Sequence, residues 1–114
     1  MEIDLFAGLT VRDRAEAAPW YERLLGAPAS FEPNDDELVW TVSEHAHLYI
    51  EVRPMDAGHS IVTLFVDDLD GFLTAASSRG LQPGSVETYA NGVRKALFHD
   101  PDGNEVGVGG AGHG

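Results

Sequence analysis

The sequence predicts an α+β domain made of two βαβββ modules packed on one shared core. Repetition carries this reading. Leu9-Thr10-Val11-Arg12-Asp13 opens a helical stretch that stops at Gly26, and Leu64-Phe65-Val66-Asp67-Asp68 opens another that stops at Gly80. Later, His47 to Val52 is echoed by Gly103 to Val108, so the repeat recurs at close to half of the 114-residue chain. A unit this small cannot bury a core alone and must pack on its copy.

The elements follow in order. Residues 3 to 11 alternate as a strand, with Leu5, Ala7, Leu9 and Val11 on one face. Asp13, three residues before Glu16, is placed to cap a helix in which Ala17, Tyr21, Leu24 and Leu25 recur at helical spacing. Pro19 lies inside this helix and is expected to bend it. Gly26 suits the left-handed C-terminal cap. Short strands are expected at Ala29 to Glu32, Leu38 to Val42 and His47 to Arg53. Arg53 to Gly58 is a polar link too short for a flexible tether, so the modules divide at 1–56 and 57–108 within one domain. Ile61 to Val66 is the next strand, and Leu69, Phe72, Leu73 and Ala76 form the apolar stripe of a second helix ending at Gly80. A hairpin around Asn91-Gly92 follows. Asp100-Pro101-Asp102-Gly103 reads as a type I turn, Glu105 to Val108 as the last strand and residues 109–114 as a flexible tail.

Composition excludes several functions. The chain has no cysteine, which rules out disulfides, thiolate metal sites and cysteine nucleophiles. A net charge of -12, from 19 acidic and 7 basic residues, opposes binding to nucleic acid or anionic lipid. No apolar run spans a bilayer and MEIDLF lacks a basic leader, so a soluble, cytoplasmic protein is expected. There is no phosphate-binding glycine loop and no serine–histidine–aspartate pattern.

Four words in order resemble the vicinal oxygen chelate superfamily, which includes glyoxalase I, extradiol dioxygenases and the fosfomycin- and bleomycin-resistance proteins. They are Leu9-Thr10-Val11-Arg12-Asp13, Trp20-Tyr21-Glu22-Arg23-Leu24-Leu25-Gly26, Val66-Asp67-Asp68-Leu69-Asp70 and Asp100-Pro101-Asp102-Gly103-Asn104. The resemblance spans residues 3 to 108. It implies a cupped mixed sheet with helices outside, a small-molecule cavity in the cup and a homodimer. In metal-dependent members it implies ligands at four strand positions, which fall here on Phe6, Glu51, Ile61 and Gly107. Only Glu51 can donate, so no metal or other cofactor is expected.

Alternation then assigns the cup lining. His47, Tyr49, Glu51 and Arg53 share one strand face, as do Phe6, Gly8 and Thr10, and Ile61, Thr63 and Phe65. The expected ligand-binding residues are Phe6, Trp40, Tyr49, Glu51, Ile61, Thr63, Phe65 and Gly107, lining one connected cavity for an apolar or aromatic compound. Trp40 serves equally as a core ring, and Glu51 equally as an ion-pair partner of Arg53 or Arg94. The alternative is an enzyme, a lyase, isomerase or dioxygenase, working through Glu51 or through a displaced metal site of His47, Glu51, His59 and Glu105.

Overall fold

The computed structural model describes residues 1–111. The elements are β1 (Leu5–Val11), α1 (Arg14–Leu25), β2 (Phe31–Asn34), β3 (Glu37–Ser43), β4 (Ala46–Val52), β5 (Ile61–Val66), α2 (Leu69–Ser78), β6 (Ser85–Thr88), β7 (Arg94–His99) and β8 (Glu105–Gly110). They form two four-stranded mixed sheets with strand orders β1-β4-β3-β2 and β5-β8-β7-β6. In each, the helical crossover leaves the first strand parallel to the last, and the remaining pairs are antiparallel. The expected α+β class and doubled order are both present.

Local chemistry explains the helix ends. Asp13 accepts the Ala15 amide, and Gly26 (φ 78°) closes α1 in the left-handed conformation with its N–H on Glu22. α1 runs through Pro19. Asp68 caps α2 by accepting the Gly71 amide.

Four details differ from the sequence reading, the first being β2, which runs Phe31–Asn34 rather than Ala29 to Glu32. β8 continues through Gly109 and Gly110, both buried, so they belong to the sheet rather than to a tail. Residues 112–114, including His113, lie outside the described residues. The ladder pairs Val11 with Val52 but Val66 with Gly110, so the partner of Val52 in the repeat is Gly110 and that of Tyr49 is Gly107. Glycines blur the alternation that sets register, which is why the echo in the letters is offset by two residues. Finally, the Asn91-Gly92 connection is longer than a two-residue turn. Gly92 donates to Tyr89 with φ 86°, and Tyr89 donates to Val93, a turn closed by a left-handed glycine.

The helix-covered faces of both sheets meet in one core. Leu9, Val11, Trp40, Leu48 and Ile50 from the first sheet join Ala96, Phe98, Val106 and Val108 from the second around Tyr21 and Leu24 of α1. At its edge sits a buried polar hub. Asp100 Oδ2 accepts from Tyr21 Oη at 2.7 Å and from Asn104 Nδ2 at 2.9 Å. Asp100 Oδ1 accepts the amides of Asp102 and Asn104, both at 2.9 Å. Asn104 Nδ2 also donates to the Thr10 carbonyl, and its Oδ1 accepts the Ser60 amide. The modules are further tied by Arg79, which donates to the Arg23 and Leu24 carbonyls at the end of α1.

Removing the Tyr21 hydroxyl leaves a buried carboxylate short of one donor. Tyr21→Phe should cost about 1–3 kcal/mol, read as a lower Tm. Burial first, then the charge and hydrogen bond of Asp100, push the Tyr21 hydroxyl far above the tyrosine range. The folded chain therefore keeps a proton that the unfolded chain loses near pH ~10, and stability should fall as pH rises past that point. Urea titrations across this range should show a steeper alkaline loss for the native chain than for Tyr21→Phe.

Candidate functional site

Since the helix-covered faces share one core, the opposite faces of the sheets lie on the outside of the chain. On the first sheet this face carries Phe6, Gly8 and Thr10 of β1 beside their register partners His47, Tyr49 and Glu51 of β4. The Tyr49 ring covers Gly8, where a Cβ would stand 2.5 Å from Cζ. Phe6 stacks on His47, with centroids 4.3 Å apart and planes at 17°, and meets Tyr49 edge-on. Glu51 is ion-paired with Arg53. The matching face of the second sheet carries Ile61, Thr63 and Phe65 beside Glu105, Gly107 and Gly109. Phe6, Ile61 and Phe65 are 46%, 72% and 66% exposed.

The expected single cavity is divided. A cleft of about 190 Å³ holds Gly8, Thr10, Tyr49, Glu51 and Arg53 on the first sheet. A larger one of about 490 Å³ opens between the modules, lined by Leu5, Leu25, Trp40, Val62, Leu64 and Phe72 and also by Thr63 and Phe65. Phe6, Ile61 and Gly107 line neither of these clefts. The two groups of residues sit on separate sheets, and no ladder joins β1 to β5.

Trp40 and Gly107 differ from expectation for packing reasons. Trp40 faces the core, 2% exposed, with its indole N–H on the Ala27 carbonyl and its ring tilted against Tyr21. Gly107 opens no space, because the Lys95 side chain lies across it. A Cβ there would collide with Lys95 Cε and stand 3.3 Å from both Lys95 Nζ and Thr63 Oγ1. Lys95 was absent from the sequence reading, although its alternation with Leu97, the partner of Gly107, puts it on this face.

The donors of the displaced metal site are dispersed. His47 Nε2 meets Asp4 Oδ2 at 2.9 Å and its Nδ1 meets Thr41 Oγ1 at 2.9 Å. Glu105 lies 3.9 Å from His99 on the other sheet, and His59 is exposed in the link. Among the described residues no group of three or more histidines and carboxylates is placed to hold a metal ion. In the observed register the repeat partner of Gly107 is Tyr49 and that of Glu51 is Gly109, so the four positions hold Phe6 and Ile61 with either Tyr49 and Gly107 or Gly109 and a Glu51 already paired with Arg53, and neither set fits a divalent metal. Asp4 was also missed. Hydrogen bonds from His47, then His45, hold its carboxyl below the usual carboxylate range, and the bridge fixes the ring that Phe6 stacks on.

The contact between Gly8 and Tyr49 is open to test. Gly8→Ala should lower stability by about 1–3 kcal/mol by displacing the ring. In a Tyr49→Ala background the same change should cost far less, a coupling that urea unfolding of the four proteins would measure.

Comparison with known proteins agrees with this architecture. The sequence profile of the Glyoxalase/Bleomycin resistance protein/Dioxygenase superfamily matches residues 3–108. A glyoxalase/bleomycin resistance protein from Catenulispora acidiphila DSM 44928 is 48% identical, with a TM-score of 0.93 over 96% of this chain and 99% of that one. A bleomycin-binding protein solved with bleomycin shares the fold at 24% identity and TM-score 0.76, covering 96% of this chain and 98% of its own. The antibiotic-binding protein TnmS3 from Streptomyces sp. CB03234 does so at 22% identity and TM-score 0.76, covering 97% of each chain. No curated protein matches the sequence. With its doubled βαβββ order and a profile match over nearly its whole length, the chain belongs to the glyoxalase/bleomycin resistance protein/dioxygenase superfamily.

Proposed function

We propose that this chain is a metal-free cytoplasmic binding protein that holds an apolar or aromatic small molecule in a cup completed by a second copy of itself. One observation carries the reading. The outward sheet faces, which bear the family's site positions, expose Phe6 and Ile61 where an enzyme of the family would carry metal donors, with Phe65 exposed on the same strand face as Ile61. Water-facing aromatic and aliphatic side chains of this size mark a binding surface. In one chain the two faces belong to different sheets with their backs together. Pairing with a second copy brings the first-module face of one chain against the second-module face of the other, around a twofold axis. Phe6, Tyr49 and Glu51 of one protomer and Ile61, Thr63 and Phe65 of its partner then line one cup. Function becomes sequestration, in which affinity alone removes the compound. Two proteins of the same fold, one solved with bleomycin and one named as antibiotic-binding, support a binding role.

Sedimentation should give twice the 12.3 kDa chain mass. In a thermal-shift screen of zinc, nickel, iron and manganese salts beside aromatic natural products, only the organic compounds should raise Tm. A ligand at a hundredfold excess over its Kd adds about 2.7 kcal/mol, a shift of several degrees. Near-stoichiometric transition metal in protein purified without chelator, or no response to any organic compound, would defeat the proposal.

A further inference from the structure

The second-module face contains a cation without an anion. The chain has a single lysine, Lys95, among its 7 basic residues. Arg12, Arg14, Arg53 and Arg94 each pair with a carboxylate. Arg79 is spent on the α1 carbonyls, and Arg23 stands exposed in water. Lys95 alone is half-buried with no ion pair or hydrogen bond to its ammonium among the described residues.

Its direction is informative. The register partner of Lys95 across the β6–β7 ladder is Glu87, close enough for an ion pair. Glu87 instead accepts the Tyr89 hydroxyl at 3.1 Å, and the lysine stem turns the other way, across Gly107. Absence of a side chain at Gly107 makes that path possible. The ammonium and the Thr63 hydroxyl, which has no hydrogen bond among the described residues, each lie 3.3 Å from where a Gly107 Cβ would be. Phe65 lies on the same strand face, its ring 3.3 Å from the corresponding point at Gly109. An ammonium and a hydroxyl thus stand at the edge of an exposed aromatic and aliphatic patch.

We infer that the ligand carries an anionic group, a carboxylate, sulfonate or phenolate, attached to an apolar or aromatic body, and that Lys95 Nζ and Thr63 Oγ1 hold that group on the solvent side of the Lys95 stem while Phe65 and Ile61 take the body. This rests on the reading of the outward face as the ligand surface. The surroundings sharpen it. A chain of net charge -12 repels anions at long range, so a preference for an anion must come from a local cation. A partly desolvated ammonium gains most from a charged acceptor.

Two fluorescent probes with one aromatic frame separate the contributions. 8-Anilinonaphthalene-1-sulfonate carries the anion, and N-phenyl-1-naphthylamine lacks it. Lys95→Met should weaken the sulfonate at least about tenfold while changing the neutral probe less than about threefold, as expected for loss of one charge-assisted hydrogen bond. Lys95→Gln should behave like Lys95→Met, and Lys95→Arg should retain most of the sulfonate affinity, with circular dichroism and Tm confirming the fold of each. Sulfonate affinity within about twofold of the native value in Lys95→Met, or equal weakening of both probes, overturns the role of Lys95 and leaves the binding surface standing. If neither probe binds the native protein, the ligand-surface reading falls along with this one.

Discussion

The Asp100 carboxylate is the constraint on which the rest of the structure depends. It is 5% exposed and receives four hydrogen bonds, from the Tyr21 hydroxyl, two backbone amides and the Asn104 side chain. A buried carboxylate is tolerated only with its acceptors filled, and here the donors come from distant parts of the chain. Tyr21 belongs to the first helix, whereas Asn104 reaches β1 through the Thr10 carbonyl and the segment before β5 through the Ser60 amide. Satisfying one charge therefore orients one module against the other. The Asp-Pro-Asp-Gly-Asn word is the clasp that fixes this arrangement, and its carboxylates are structural.

From that orientation follows the placement of the surfaces. The hub draws the helix-covered faces together, which consumes Trp40 and leaves the opposite faces in water. The two outward faces are not copies in detail. In the first, the strand pair Gly8–Tyr49 puts glycine on β1 and the large ring on β4. In the second, the equivalent pair Thr63–Gly107 puts glycine on β8, and the space is taken from the next strand by Lys95. Each glycine accommodates a long side chain lying flat on its sheet. One face thus presents aromatic surface beside an acidic group paired with Arg53, while the other presents aromatic surface beside an ammonium with no ion pair among the described residues.

A fold that carries both metal enzymes and binding proteins does not decide its own chemistry. The decision lies at a few inward positions of the family's cup. Phe6 and Ile61 replace donors with apolar bulk, and Glu51 is occupied by its neighbour two residues on. What remains on these faces is shape, apolar area and one positive charge without an ion pair among the described residues.

Much of this was legible in the sequence because it is written locally. Alternation assigned Phe6, Tyr49, Glu51, Ile61, Thr63 and Phe65 to the cup side of their strands, opposite the helices, since side-chain direction in a strand depends only on parity. Helix caps at Asp13 and Gly26 and the turn at Asp100 were equally local. The tertiary structure alone decided how the modules meet, because that rests on contacts such as Tyr21 with Asp100 between residues far apart in the chain. It therefore decided that Trp40 is core, that the cup residues of one chain fall on two separate sheets, and that Asp4 bridges His45 and His47. The glycines of β8 hid the register from the letters, and with it the path of Lys95, because a residue without a side chain shows no face until its neighbours are in place.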